Sequence, residues 1–207
     1  MIPHQRIIGK ILVTDLLSSF NGECISVVSR DFNKYLPVAS PLSLARILDA
    51  QVIDEIHLSW IGGTSELSLN KFYELVDHIS ASISIPLAVS CRISTFTEAS
   101  RLFSLGADKV IIGTNLFTST SLLSQIARIY GRQAIVASFD YISIDDSLLC
   151  LHNQESPIHA SKLPSLINEL GVGEVSLNAM GNFGKTSNVL VFLNLANNYF
   201  KLVKMKG

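Results

Sequence analysis

Arg6, Glu55, Lys109 and Glu174 are the charged residues whose placement asks for an explanation, because each precedes or opens an apolar run. In a parallel barrel the strand starts gather on the N-terminal face, opposite the usual active site. Two acids and two bases gathered there can pair around the barrel axis. A buried charged cluster is a poor way to stabilise a fold, so four such residues favour a use; the plain alternative is that they merely cap the sheet. Lys109 opens its strand, which puts it at the wrong end for Schiff-base chemistry. Asp108 stands on the same face.

The other chemically capable residues form weaker patterns. Asp140 closes an apolar run, and Asp15 follows another. Cys91 lies at a strand end beside Arg92; a neighbouring guanidinium can lower a thiol pKa, yet no histidine is placed by the sequence to activate it. His4, His57, His78, His152 and His159 have no metal-ligand spacing with Cys24, Cys91 and Cys150. No metal and no cofactor are expected. His57 and Trp60 read as packing residues.

These positions are set by a βα repeat. The stretch 106–114, Gly-Ala-Asp-Lys-Val-Ile-Ile-Gly-Thr, leaves a helix on a glycine, enters a short strand on a charge and exits at Gly-Thr. Related starts occur at 52–56 and 171–175, and such internal repeats decide the fold class first. Strands are expected at 7–13, 55–60, 85–89, 110–112, 134–139, 175–177 and 200–205, with a second edge segment at 23–28. Helices are expected near 41–51, at 68–80, 95–105 and 119–130, within 157–170, and at 189–197. Ser40-Pro41 supplies a helix start. Residues 141–144 and 148–152 flank Asp145-Asp146-Ser147 as a hairpin. No linker divides the 207 residues, so a single domain over 1–207 is expected. Short apolar strands alternating with helices predict a parallel sheet covered by helices, in a barrel or an open doubly wound form.

Composition excludes several classes. A formal charge of -1 offers no footprint for nucleic acid. No apolar run approaches the roughly 18 residues of a membrane helix, and no signal peptide is evident. Three widely spaced cysteines suggest a reducing compartment, so a cytoplasmic location is expected. No Gly-rich dinucleotide fingerprint or Walker A sequence is present.

The order Arg6-Ile7-Ile8, Asp54-Glu55, Ile85-Pro86, 106–110, Gly113-Thr114, Asp140 and 173–175 resembles the cyclase subunit family of imidazole glycerol phosphate synthase. The resemblance runs from residue 6 to about 190. It implies a TIM-type (β/α) barrel, here incomplete: about seven of eight βα units, with 200–207 similar to the seventh strand and no counterpart of the eighth. It also implies a ring of four charged residues through which ammonia from a glutaminase subunit enters the barrel, matched here by Arg6, Glu55, Lys109 and Glu174, with Asp108 as a further partner contact.

The same resemblance implies two catalytic aspartates. Their positions fall on Leu12 and Phe183, neither of which can exchange a proton. Asp15 is a displaced stand-in for the first, and Asp140 matches a further aspartate. A glycine run that approaches phosphate becomes Ser90-Cys91-Arg92, leaving Gly113, Thr114 and Arg92 as phosphate contacts. A basic first-strand residue becomes Ser26, and a carboxylate at the second strand end becomes Trp60. The expected function is therefore a non-cyclising partner of a glutaminase-like amidotransferase subunit, docked at the N-terminal face and activating that subunit and/or conducting ammonia through the barrel. The alternatives are a genuine cyclase subunit of histidine biosynthesis, acting on aminoimidazole carboxamide ribonucleotide, and a structural remnant. An open seam predicts self-association.

Overall fold

In a computed structural model, residues 6–30, 34–113, 116, 120–144, 147–151 and 158–179 are described. Thr114, Phe183, the expected helix at 189–197 and the expected strand at 200–205 lie outside them. The chain forms two compact units, the first within 1–28 and 35–111, the second within 29–34 and 112–207.

The first unit carries β1 (Ile8–Thr14), β2 (Ile25–Arg30), β3 (Lys34–Ala39), α1 (Pro41–Ala50), β4 (Glu55–Trp60), α2 (Glu66–Ser80), β5 (Leu87–Ser90), α3 (Phe96–Ser104) and β6 (Lys109–Ile112), with the ends of β2, β3 and β6 passing into the other unit. Strands β1, β4, β5 and β6 pair in parallel in that order, with Ile8 opposite Glu55, Val13 opposite Trp60, His57 opposite Ala88, and Ala88 opposite Lys109. Each parallel step is made through a helix, which is the βα succession the sequence predicts. Both faces of the strands are buried: Ile56 and Leu58 point one way, His57 the other, and all are nearly inaccessible. Such two-sided burial is why these strands read as continuous apolar runs rather than alternating ones.

Helix α2 supplies Phe72, Val76 and Ile79 to the core, each such burial contributing roughly 1.5–3 kcal/mol. It starts at Ser65, whose hydroxyl accepts the Ser68 N–H. Helix α3 is bounded by a reciprocal cap in which Thr95 accepts the Glu98 N–H and Glu98 accepts the Thr95 N–H. It ends as Gly106 turns to φ +90, a conformation that suits glycine.

Two strand entries share one device. Asp54 donates its N–H to Ile7 O and accepts the Ile7 N–H on Oδ2 at 2.6 Å. Asp108 does the same to Leu87, donating to its carbonyl and accepting its N–H on Oδ2 at 2.8 Å. The aspartate before each strand thus fixes the start of the preceding strand.

Strand β3 is not anticipated by the sequence, and it takes the outer position next to β2, which was expected at the edge. Pro37 hides it from a pattern search, although an edge strand tolerates proline. Leu36 and Val38 are exposed on it.

The second unit carries α4 (Thr120–Tyr130), β7 (Ile135–Ile144), β8 (Ser147–Leu151), β9 (Ile158–His159), α5 (Leu163–Leu170) and β10 (Glu174–Ala179). β7 and β10 are parallel, from Val136 opposite Glu174 to Tyr141 opposite Ala179. The strand expected to end at Asp140 instead continues as the first arm of the hairpin, with Asp140 opposite Leu151 and Ile144 opposite Ser147. Asp140 is therefore mid-strand, ordered from both sides. At the entry to β10, the Gly173 N–H reaches Ile135 O. A Cβ there would come within 2.5 Å of Arg132 O, so glycine stands where the other entries carry aspartate.

Among the described residues, no helix is long and apolar enough to cross a membrane.

Candidate functional site

Glu55 is the centre of the strand-start cluster. It opens β4 and is 1% exposed. Its Oε2 accepts from Lys109 Nζ at 2.6 Å and from Arg6 Nη1 at 3.2 Å, while Oε1 is 2.9 Å from His57 Nε2. Strand geometry brings these groups together. Side chains two residues apart share a face, so His57 follows Glu55 on β4. The register His57–Ala88–Lys109 puts Lys109 level with His57, one step above Glu55. Arg6 lies two residues before Ile8, the partner of Glu55.

Burial alone would raise the Glu55 pKa. The hydrogen bonds from His57 and Lys109 and the charge of Lys109 outweigh it, and the carboxyl is held at about 2. An ionised carboxylate only accepts hydrogen bonds, so His57 Nε2 carries the hydrogen.

Two of the four expected ring residues, Arg6 and Lys109, thus meet on the carboxylate of a third, Glu55. Glu174 opens β10 in the second unit, opposite Val136. Asp108, expected as a partner contact, is occupied through Oδ2 in the strand-entry tie. His57, expected as packing, is a polar member of the cluster. The signal was the two-residue spacing from Glu55, which a search for charged residues alone passes over.

The opposite ends of the same strands are built differently. Leu12 is buried opposite Ser59 and Val27. Trp60 closes β4, lies 5.0 Å from the Phe72 ring centroid, and donates Nε1–H to Gly63 O at 2.9 Å. The Gly63 N–H in turn donates to Asp15 Oδ1 at 2.9 Å. A Cβ on Gly62 would fall 2.3 Å from the Trp60 ring. Asp15 therefore ties two loops together around an indole. Burial pushes its pKa up, but the Gly63 and Ser68 hydrogen bonds prevail and lower it. Asp15, the displaced stand-in for the first catalytic aspartate, is thus engaged in holding a loop.

The lowering of the Cys91 thiol by its arginine neighbour does not occur. Burial, with Glu98 nearby, pushes its thiol up to about 12 despite a hydrogen bond with Tyr73; no lowering by Arg92 enters. Arg92 is exposed and holds a left-handed backbone, φ 58, the conformation glycine adopts freely. The loop keeps a glycine-like path with a guanidinium on it. Ser26, expected to replace a basic residue, is buried and donates to Ala39 O.

In the second unit, Asn178 Nδ2 donates to Ser138 Oγ and to Asp140 Oδ1, both at 3.0 Å. Sequence reasoning missed Asn178, whose partnership follows from its register opposite Asp140. Gly113 packs near this group: a Cβ there would lie 3.6 Å from Ser138 O. Asp140, Ser138 and Asn178 make a small polar set across the paired strands β7 and β10, with Gly113 beside Ser138.

Residues 11–199 match the family described as Histidine biosynthesis protein. The chain is 31% identical over 158 residues to imidazole glycerol phosphate synthase subunit HisF of Chlorobium limicola, covering 74% of this chain and 62% of that protein. It is 30% identical over 136 residues to a Prochlorococcus marinus protein provisionally named imidazole glycerol phosphate synthase subunit hisF2, covering 66% and 52%. A Vibrio vulnificus protein provisionally named subunit hisF3 is 29% identical over 152 residues, covering 71% and 58%. These alignments span between about half and three fifths of the relatives' length. The matched family, the identity to its cyclase subunits and the βα succession agree: the chain belongs to the histidine biosynthesis protein family, as a relative of the imidazole glycerol phosphate synthase cyclase subunits with an incomplete TIM-type (β/α) barrel.

Proposed function

We propose that the chain is the barrel partner of a glutaminase-like subunit, docking by its strand-start end and activating that subunit or receiving its ammonia. The observation that carries this reading is Glu55, a buried carboxylate engaged by Arg6, Lys109 and His57. A buried ion cluster is a costly way to hold strands together compared with apolar packing, so its presence at the end where the resemblance sets a gate supports a use there. Glu174, at the start of β10, matches the fourth charged position that the resemblance implies, and Asp108 adds a partner contact beside its strand tie. The proposed setting is cytoplasmic, with no nucleic acid, membrane or cofactor involved. Self-association through an exposed strand edge belongs to the same proposal.

The strand ends support no cyclisation by two acids. Leu12 has no proton to exchange, and Asp15 is spent on Gly63. The names of the relatives favour a second reading, a true cyclase subunit of imidazole glycerol phosphate synthase. Asp140, positioned by Asn178, is the residue such an activity would use, with Gly113, Arg92 and Thr114 on phosphate.

Mixing the purified chain with a glutaminase subunit and following glutamate release tests the first reading; a rise of tenfold or more supports it. Turnover of aminoimidazole carboxamide ribonucleotide with ammonium salts, in the same preparations, would establish the second. Neither activity would leave a structural remnant.

A further inference from the structure

Most turns that lead from a helix into a strand share one backbone device. After α3, α4 and α5 the chain passes through the left-handed region on glycine, at Gly106, Gly131 and Gly171. After α1 the same step falls on Val52, at φ 55. Glycine enters that region freely and asparagine tolerates it, whereas a β-branched residue is strained there. Among the described residues Val52 is the one β-branched side chain so placed, the other non-glycine positions being Asn21 and Arg92. Packing does not compensate the strain. Val52 is 85% exposed, while the residue that follows this position before β4, β6 and β10 is buried: Ile53, Ala107 and Val172. The valine side chain thus serves neither the turn nor the core, and a backbone outlier of this kind points to a use.

We propose that Val52, with Ile7 at the same strand entry, is an apolar anchor that seats in an apolar pocket of the glutaminase-like subunit. Ile7 is 65% exposed. Its N–H reaches Asp54 Oδ2 and its carbonyl accepts the Asp54 N–H, which fixes it beside the turn that carries Val52. Val52 precedes Asp54-Glu55 and Ile7 directly follows Arg6, so the apolar pair belongs to the strand-start end that carries the charged cluster. Two side chains are far too little for a stable interface by themselves, which takes roughly 1,200–2,000 Å². They need a larger contact around them, and the docking reading puts that contact at this end. Val52 is also pre-set for it. Its N–H donates to Asp49 O at 3.0 Å, and branching at Cβ restricts its rotamers, so little freedom is lost on docking. This inference rests on the docking reading above and adds the chemistry of the contact, apolar burial beside the Glu55 cluster.

The experiment titrates the full chain with a purified glutaminase subunit of imidazole glycerol phosphate synthase by calorimetry, beside urea unfolding of the chain alone. Val52→Asn supplies a polar side chain that tolerates the left-handed turn, and Val52→Gly removes the side chain. The expected result in both is a Kd about tenfold or more above wild type, on the scale of burying one aliphatic side chain. Their urea midpoints stay at or above that of the wild type. Leu67→Gln, at an exposed leucine in the first turn of α2, leaves Kd within about twofold; a loss there equal to that of the Val52 variants would overturn the proposal. Unchanged Kd in the Val52 variants overturns the anchor and leaves the docking reading standing, whereas no complex with the wild type removes both. A urea midpoint that falls in both variants makes Val52 a packing residue and overturns the proposal too. So does self-association of the free chain, seen by sedimentation velocity and abolished by Val52→Asn, which would assign the pair to a second copy.

Discussion

Strand β4 begins with Glu55 and ends with Trp60, and the two ends of this strand teach opposite lessons. At the start, a carboxylate is buried and kept ionised by three donors. At the end, an indole is buried, and the nearest carboxylate, Asp15, is consumed in holding the loop around it. Polarity is concentrated where a parallel barrel usually keeps stability, and apolar packing closes the position where it usually keeps chemistry. Fold class alone would predict the reverse, which is why function has to be argued from the sites.

The sharpest way to break this comparison is to remove a cation from the buried carboxylate. Lys109→Met should destabilise the chain by about 3 kcal/mol, because breaking a buried pair leaves a charge uncompensated. Urea unfolding reads the effect, and a loss under about 1 kcal/mol would mean that Arg6 and His57 suffice without Lys109. Acid titration probes the same group without mutation. The Glu55 pKa is depressed from 4.5 to about 2 in the folded chain, so its contribution is fully present above about pH 4.5 and is lost as pH falls towards 2. That loss is on the order of 3 kcal/mol. Glu55→Gln should lack this segment of the stability–pH curve; an unchanged curve would show that other carboxylates govern acid unfolding.

At the other end the expected effects are smaller. Gly62→Ala forces a methyl group towards the Trp60 ring and should cost about 1–3 kcal/mol, seen as a lower urea midpoint together with a change in tryptophan emission. Asp15→Ala removes one hydrogen bond to Gly63 and should cost about 1 kcal/mol. Smallest of all is the effect of thiol reagents. With its thiol pushed up to about 12, Cys91 should alkylate at pH 8 only when urea opens the chain, as mass spectrometry of the labelled peptide would report. Rapid labelling of folded protein would restore Cys91 as a reactive group.

Much of the fold was legible because the βα repeat carries its own punctuation. Asp54-Glu55 and Asp108-Lys109 mark strand starts, and β4 spans the expected 55–60. β3 escaped because Pro37 breaks the pattern that an edge strand can tolerate. β7 ran past Asp140 because the strand and the hairpin arm are one continuous ladder, and a change of pairing partner leaves no mark in composition. In the site, charge identified Arg6, Glu55 and Lys109 directly. His57 and Asn178 were not found, since their roles arise from register: His57 from its place two residues after Glu55, Asn178 from its place opposite Asp140. The loop role of Asp15 was not legible, since its partners Gly63 and Ser68 lie about fifty residues away in sequence.

The central claim is that the strand-start end, and not the strand-end mouth, is the working surface of this chain. It is tested most directly by comparing two exposed or loop variants, Arg6→Gln and Asp15→Ala, for stimulation of a glutaminase subunit under conditions where both remain folded. The account predicts that stimulation falls at least tenfold in Arg6→Gln and stays within twofold of wild type in Asp15→Ala. Equal stimulation by wild type and Arg6→Gln, or a loss confined to Asp15→Ala, would contradict it.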